Sequence, residues 1–93
     1  MRYLTLKDKS LAVLVVCRCK LGGNGFSHYI RANFYFKDEI YNTWEIAQLC
    51  NYKMSKNEKM IVRAYGMSPV ADIADKLAKK LNIDFYDILI DEL

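Results

Sequence analysis

At 93 residues the chain is smaller than an average domain, so we expect one hydrophobic core and a single domain over residues 1–93. Hydrophobic residues make up 53% of the chain and charged residues 27%, a composition that excludes a disordered chain. No apolar run approaches the ~18 residues that cross a bilayer, and the first residues lack the pattern of a secretory signal. We therefore expect a cytoplasmic protein without membrane contact.

The formal net charge is +3, but the charges are unevenly distributed. Every Lys and Arg lies at or before Lys80, whereas Asp84, Asp87, Asp91 and Glu92 crowd the end of the chain. Such a basic body can attract an anionic partner. The net charge is nevertheless far below the strongly basic balance of a dedicated nucleic-acid binder.

The first predicted element is a β-hairpin. Residues 11–20 are rich in aliphatic and β-branched side chains, and residues 26–36 are rich in aromatic ones. The Gly-rich residues 22–25 between them supply the positive φ angles that tight hairpin turns require. With a two-residue turn at either Gly23-Asn24 or Asn24-Gly25, odd residues of the first strand lie beside even residues of the second.

This register predicts two different faces. The face expected on the core is nearly all apolar: Leu11, Val13, Val15, Cys17 and Cys19, with Phe26, His28, Ile30, Ala32, Phe34 and Phe36. The other face is apolar at one end and basic and aromatic toward the turn: Ala12, Leu14, Val16, Arg18 and Lys20, with Ser27, Tyr29, Arg31, Asn33 and Tyr35.

Helix and strand signals alternate along the rest of the chain. Asn42 followed by Glu45 has the pattern of a capping box and predicts a helix over 43–52. After a polar loop at 51–57, residues 59–65 predict a strand. Ser68 and Pro69 then open a helix whose apolar stripe continues to Leu81. For the last segment, 85–92, we predict a short helix, with an edge strand as the alternative.

This order predicts an α+β fold: an antiparallel sheet of three or four strands, made by the N-terminal hairpin followed by α-β-α, with two or three helices packed on one face. Residues 2–6 are a candidate for an extra edge strand.

The predicted partner-binding residues lie on the second hairpin face: Arg18, Lys20, Tyr29, Arg31 and Tyr35. Tyr and Arg are enriched at the energetic centres of protein interfaces. The same interleaving of cations and rings also suits phosphate contacts with base stacking, so RNA or single-stranded DNA is the alternative partner.

Three cysteines and one histidine form a second candidate site. Cys17, Cys19 and His28 fall on one predicted face, and Cys50 follows in the next helix, so a metal site or a small enzyme site there is a further alternative. A C-x-C pair on a strand separates its sulfurs more than the C-x-x-C turn of typical zinc sites, and the hairpin holds no Asp or Glu. We therefore expect free thiols, with Cys17 and Cys50 buried, and neither a metal, a cofactor nor catalysis.

No motif in the chain is specific enough to indicate a family. In its general character, a compact chain with a charged and aromatic patch, it resembles the small accessory proteins of phages and mobile elements, such as anti-CRISPR and anti-restriction proteins. That resemblance implies a non-enzymatic protein that binds and inhibits or modulates a larger host protein, such as a nuclease or a nucleoprotein complex. A homodimer through an edge strand or the Tyr-rich face is a further expectation.

Overall fold

The computed structural model describes residues 12–21, 27–64 and 68–93, with the backbone alone described for 18–21. Its elements are, in chain order, β1 (Ala12–Leu21), β2 (Ser27–Phe36), β3 (Glu39–Tyr41), α1 (Thr43–Cys50), β4 (Lys53–Met54), β5 (Met60–Arg63), α2 (Pro69–Leu81), a 3₁₀ turn (Phe85–Asp87) and β6 (Ile88–Glu92). The predicted glycine turn at 22–25 and the candidate strand at 2–6 lie outside the described residues.

The fold is α+β, as predicted, but its sheet is mixed and has six strands. The strand order is β4-β5-β2-β1-β6, and the short β3 pairs with β2 beyond the end of β5. All neighbouring strands are antiparallel except β1 and β6, which are parallel. The predicted hairpin therefore forms the centre of the sheet.

The hairpin contains a β-bulge that the sequence did not predict. Near the turn, Lys20 lies opposite Tyr29, an odd-with-even pairing as expected, but the register shifts between Arg18 and Lys20. From there Val16 lies opposite Ala32. One extra residue on a strand exchanges the faces of everything beyond it.

The expected faces of β1 are therefore wrong along most of the strand. Ala12, Leu14 and Val16 lie in the core, whereas Cys17 is exposed on the other side. The faces of β2 are as predicted, because Ile30, Ala32 and Phe34 are buried and Arg31, Asn33 and Tyr35 are exposed.

The preferred helix over 85–92 is also wrong, since only a 3₁₀ turn forms there before β6. Asp84 caps that turn by accepting a hydrogen bond from Tyr86 N. The next residues pair in parallel with β1, with Ala12 opposite Ile88 and Leu14 opposite Ile90. Because β5 and β6 both run parallel to β1, α2 is the crossover of a β-α-β unit.

Both predicted α-helices are present with their predicted caps. Asn42 Oδ1 accepts a hydrogen bond from Glu45 N at 2.9 Å, and Asn42 N donates to Glu45 Oε1 at 2.8 Å. Ser68 Oγ accepts from Ala71 N at 3.0 Å, and Pro69 follows as the first helical residue. α1 ends at Cys50, because Asn51 adopts the left-handed conformation at φ 62°.

The core lies between the sheet and these two helices. Its largest fully buried side chains come from both layers: Leu14, Val16, Ile30, Phe34, Met60 and Val62 from the sheet, and Ile46, Ile73 and Leu77 from the helices. The helices thus cover one side of the sheet, which we call the helix side.

A polar contact links the end of α1 to α2. The Tyr52 hydroxyl donates a hydrogen bond to Asp72 Oδ2, Asp72 pairs with Lys76 at 3.2 Å, and the Lys76 ammonium lies 4.5 Å from the centroid of the Tyr52 ring. Burial raises the pKa of the Cys50 thiol from 9.0 to about 11. Burial and then the bond to Asp72 also raise the pKa of the Tyr52 phenol.

These shifts predict that alkali destabilises the fold. A raised folded-state pKa favours folding while the group is protonated, and this stability is lost as the pH rises from about 9 through the folded-state pKa. For Cys50 the loss is at most about 3 kcal/mol between pH 9 and 11. We expect Tyr52→Phe to cost about 1–2 kcal/mol at neutral pH, through the lost hydrogen bond.

Urea unfolding of wild type and Tyr52→Phe at pH 7 and above pH 10 checks this prediction. The stability difference between the two proteins should shrink as the pH rises, because only the wild type loses the phenol's contribution. An unchanged difference would refute the assigned link between Tyr52 and Asp72.

Candidate binding face

The side of the sheet opposite the described helices is the candidate functional surface, and we call it the open face. Strand alternation and register place on it one set of side chains from each strand. They are Val13, Val15 and Cys17 of β1; Ser27, Tyr29, Arg31, Asn33 and Tyr35 of β2; Ile40 of β3; Lys53 of β4; Ile61 and Arg63 of β5; and Leu89 and Asp91 of β6.

One end of the open face carries a row of apolar side chains across four strands. Tyr35 lies opposite Ile40 on one side and Val13 on the other, and Val13 lies opposite Leu89. Ile40 is 62% exposed and Tyr35 38% exposed, whereas Val13 is buried without belonging to the core beneath the helices. We call Ile40, Tyr35, Val13 and Leu89 the apolar row.

The first turn of α1 adds another large exposed side chain. Trp44, the chain's one tryptophan, follows β3 closely in sequence and is 51% exposed. Along the same helix, a solvent-open depression of ≈ 290 Å³ is lined by Tyr41, Glu45, Gln48 and Leu49. Three of the six large hydrophobic side chains that are exposed among the described residues belong to β2, β3 and the start of α1: Tyr35, Ile40 and Trp44.

The other end of the open face is basic. Tyr29 lies opposite Ile61, which in turn lies opposite Lys53, so Tyr29 and Lys53 flank Ile61 in one row. Arg63 lies opposite Ser27 in the neighbouring row, and Arg31 follows Tyr29 along β2. We call Arg31, Lys53 and Arg63, with Tyr29 among them, the basic end.

Two of these cations are held by hydrogen bonds. Arg63 Nε donates to Ser27 Oγ at 3.0 Å, and Ser27 is buried. The Nε end of the guanidinium group is therefore held against the sheet. Arg31 Nη2 donates to the backbone oxygen of Asn57 at 3.5 Å, a longer contact with the turn between β4 and β5. Because these hydrogen bonds already order the two side chains, less conformational entropy is lost when an anion binds to them.

Of the predicted partner-binding residues, Tyr29, Arg31 and Tyr35 lie together on the open face. The side chains of Arg18 and Lys20 lie outside the described residues. The prediction missed Ile40, Lys53 and Arg63, which reach this face from β3, β4 and β5. The alternation of β5, with Met60 and Val62 buried and Arg63 exposed, was the signal available in the sequence.

The described members of the cysteine and histidine set are not brought together. Cys17 is exposed on the open face, so its predicted burial is wrong, while Cys50 is buried on the helix side as predicted. His28 alternates with buried Ile30 and lies opposite buried Val62, which places it on the helix side, away from Cys17. The side chain of Cys19 lies outside the described residues.

The described side chains of this set therefore do not converge on one position where they could bind a metal ion together. In the ranges that the structure covers, no group of three or more His, Cys, Asp or Glu is close enough to hold a metal ion. Cys50, whose raised pKa keeps it a neutral thiol near pH 7, is a weak nucleophile and a weak metal ligand.

No protein-family model, curated protein or solved structure matches this chain. Among the described helices, none has the length and apolar character needed to cross a bilayer.

Proposed function

We propose that the chain is a non-enzymatic binding protein that lays its open face on a larger protein and so inhibits or modulates it. The observation that carries this proposal is the apolar row, whose Ile40 and Tyr35 are exposed on the side of the sheet opposite the described helices, on the same face as the basic end.

This arrangement has the anatomy of a protein interface. Specific interfaces combine an apolar centre with a polar rim and are enriched in Tyr, Trp and Arg. Here Tyr35 and Ile40 offer apolar contact area, while Arg31 and Arg63 lie at the margin. A partner that matches this face presents an apolar patch bordered by anionic groups, since unpaired cations in an interface are costly.

A small binder of this kind acts by steric and electrostatic occlusion. The face spans five strands, each roughly 4.8 Å from the next, so it covers an area large enough to block a site on the partner. This mode of action requires no catalytic group on the binder.

Capture from cell lysate tests the proposal. Tagged wild-type protein is used as bait with and without nuclease, beside a Tyr35→Ala/Ile40→Asp variant. We expect one stoichiometric protein partner that survives nuclease treatment and is lost with the variant, because the variant removes the two most exposed side chains of the apolar row. Recovery of nucleic acid alone, or equal capture by the variant, would contradict the proposal.

A further inference from the structure

The basic end has an organisation that the proposed protein contact does not require. Arg31, Lys53 and Arg63 come from three different strands and surround one aromatic side chain, the half-buried Tyr29. All three cations are exposed. The residues that share their rows, Ile61, Ser27 and Cys17, carry no carboxylate.

The surrounding charges leave this positive field in place. The turn between β4 and β5 adds Lys56, Glu58 and Lys59, which together carry a net charge of +1. Among the described residues, the one acidic side chain that register places on the open face is Asp91, on β6 at the opposite edge of the sheet. Three strands, β5, β2 and β1, separate Lys53 on β4 from that carboxylate, and β1 separates Arg31 on β2 from it.

We infer that the basic end binds the phosphate backbone of a single-stranded nucleic acid, with Tyr29 as the stacking side chain. Guanidinium groups bind phosphate oxygens through paired donors. Among the described residues, Arg63 donates only through Nε, to Ser27, so its two terminal nitrogens remain available there. An aromatic residue on a sheet face that no described helix covers accepts an unstacked base. A sheet face suits a single strand, since reading a duplex requires an element that enters a groove.

This inference deepens the proposed function and rests on it in one respect: a face that engages a protein at its apolar row and a nucleic acid at its basic end fits a nucleoprotein complex as its partner. The nucleic-acid contact itself can be measured without that partner, so the two claims fail separately.

The test is direct binding of fluorescein-labelled eight-residue oligouridylate to the purified full chain, with oligothymidylate of the same length to separate RNA from DNA. We expect saturable binding at low salt, with a log–log salt slope of about −2 for three phosphate contacts on a single strand. Arg31→Gln/Arg63→Gln should lower the affinity at least tenfold.

Three controls make the result specific. Lys79→Gln/Lys80→Gln removes two exposed cations from α2, on the helix side, and should change the affinity less than twofold. Tyr35→Ala/Ile40→Asp should also leave oligonucleotide binding within twofold, because the apolar row does not contact the strand. A hexaglutamate peptide should bind at least tenfold more weakly, since it offers charge without bases.

Absence of oligonucleotide binding at low salt would overturn the inference. Equal affinity for hexaglutamate would also overturn it and would assign the basic end to an acidic protein surface. If binding survives the double arginine substitution, the site lies elsewhere on the chain. Capture of a protein partner by a chain that fails to bind either oligonucleotide would leave the proposed function standing alone.

Discussion

Leu14→Lys is expected to unfold the domain, whereas the neighbouring Val15→Lys is expected to leave it folded. Leu14 is completely buried between the sheet and the helices, opposite Phe34. Losing a buried Leu side chain costs about 2–5 kcal/mol, and burying an unpaired charge adds several more. The sum is comparable with the whole stability of a small domain, about 5–15 kcal/mol.

Val15 is the matched control because it lies one residue along the same strand but on the open face. Its neighbours across the sheet are Asn33 and Asp91, so a lysine there remains near water and beside a carboxylate. We expect a cost of about 1 kcal/mol or less, as for partly exposed positions. Circular dichroism and urea unfolding of the two variants measure the difference.

The same pair of variants tests the β-bulge. Without the bulge, the pairing expected from the turn places Leu14 on the open face and Val15 in the core, so the two stability changes exchange. A folded Leu14→Lys protein together with an unfolded Val15→Lys protein would show that the register described between β1 and β2 is wrong.

The residues that were predicted well are those whose signals are local. The capping residues Asn42 and Ser68 each act within three residues of their helix start. The predicted faces of β2 are also confirmed, because the polar residues Arg31 and Asn33 between Ile30 and Phe34 identify its buried side without knowledge of its partner strand.

The errors come from long-range pairing. A bulge changes which side chains of β1 face the core. Residues 12–16 are all apolar, so no alternation of polar and apolar residues identifies the buried face of this strand. The segment of β6 was predicted as a helix because five residues after the Asp84 cap are too few for their apolar periodicity to distinguish a helix from a strand. Its partner, β1, is more than 70 residues earlier in the chain.

The candidate face was predicted in part for the same reason. Tyr29, Arg31 and Tyr35 belong to one strand, so alternation alone groups them. Ile40, Lys53 and Arg63 join them through strand order, which places β3, β4 and β5 beside β2. The sheet order, and not any motif, assembles the apolar row and the basic end.

The second large effect is expected on binding. Tyr35→Ala/Ile40→Asp should weaken the affinity for the captured protein partner at least 100-fold, about 2.7 kcal/mol. Truncating one central interface side chain typically costs 2 kcal/mol or more, and the new carboxylate of Ile40→Asp faces an apolar contact. Because both side chains are exposed, the fold should lose little stability.

The chain supplies a closely matched control. Tyr86 is 88% exposed and Ile90 is 38% exposed, and neither belongs to the apolar row, since alternation places Ile90 on the helix side of β6. Tyr86→Ala/Ile90→Asp therefore makes the same two chemical changes elsewhere on the surface. It separates the effect of the location from that of lost apolar area.

Titration calorimetry of wild type and these two double variants against the purified partner is the most direct test of the open face as the binding surface. The proposed function predicts an affinity for Tyr86→Ala/Ile90→Asp within threefold of wild type and a loss of at least 100-fold for Tyr35→Ala/Ile40→Asp. Equal affinities for the two variants, or a greater loss for Tyr86→Ala/Ile90→Asp, would place the binding surface elsewhere on the molecule.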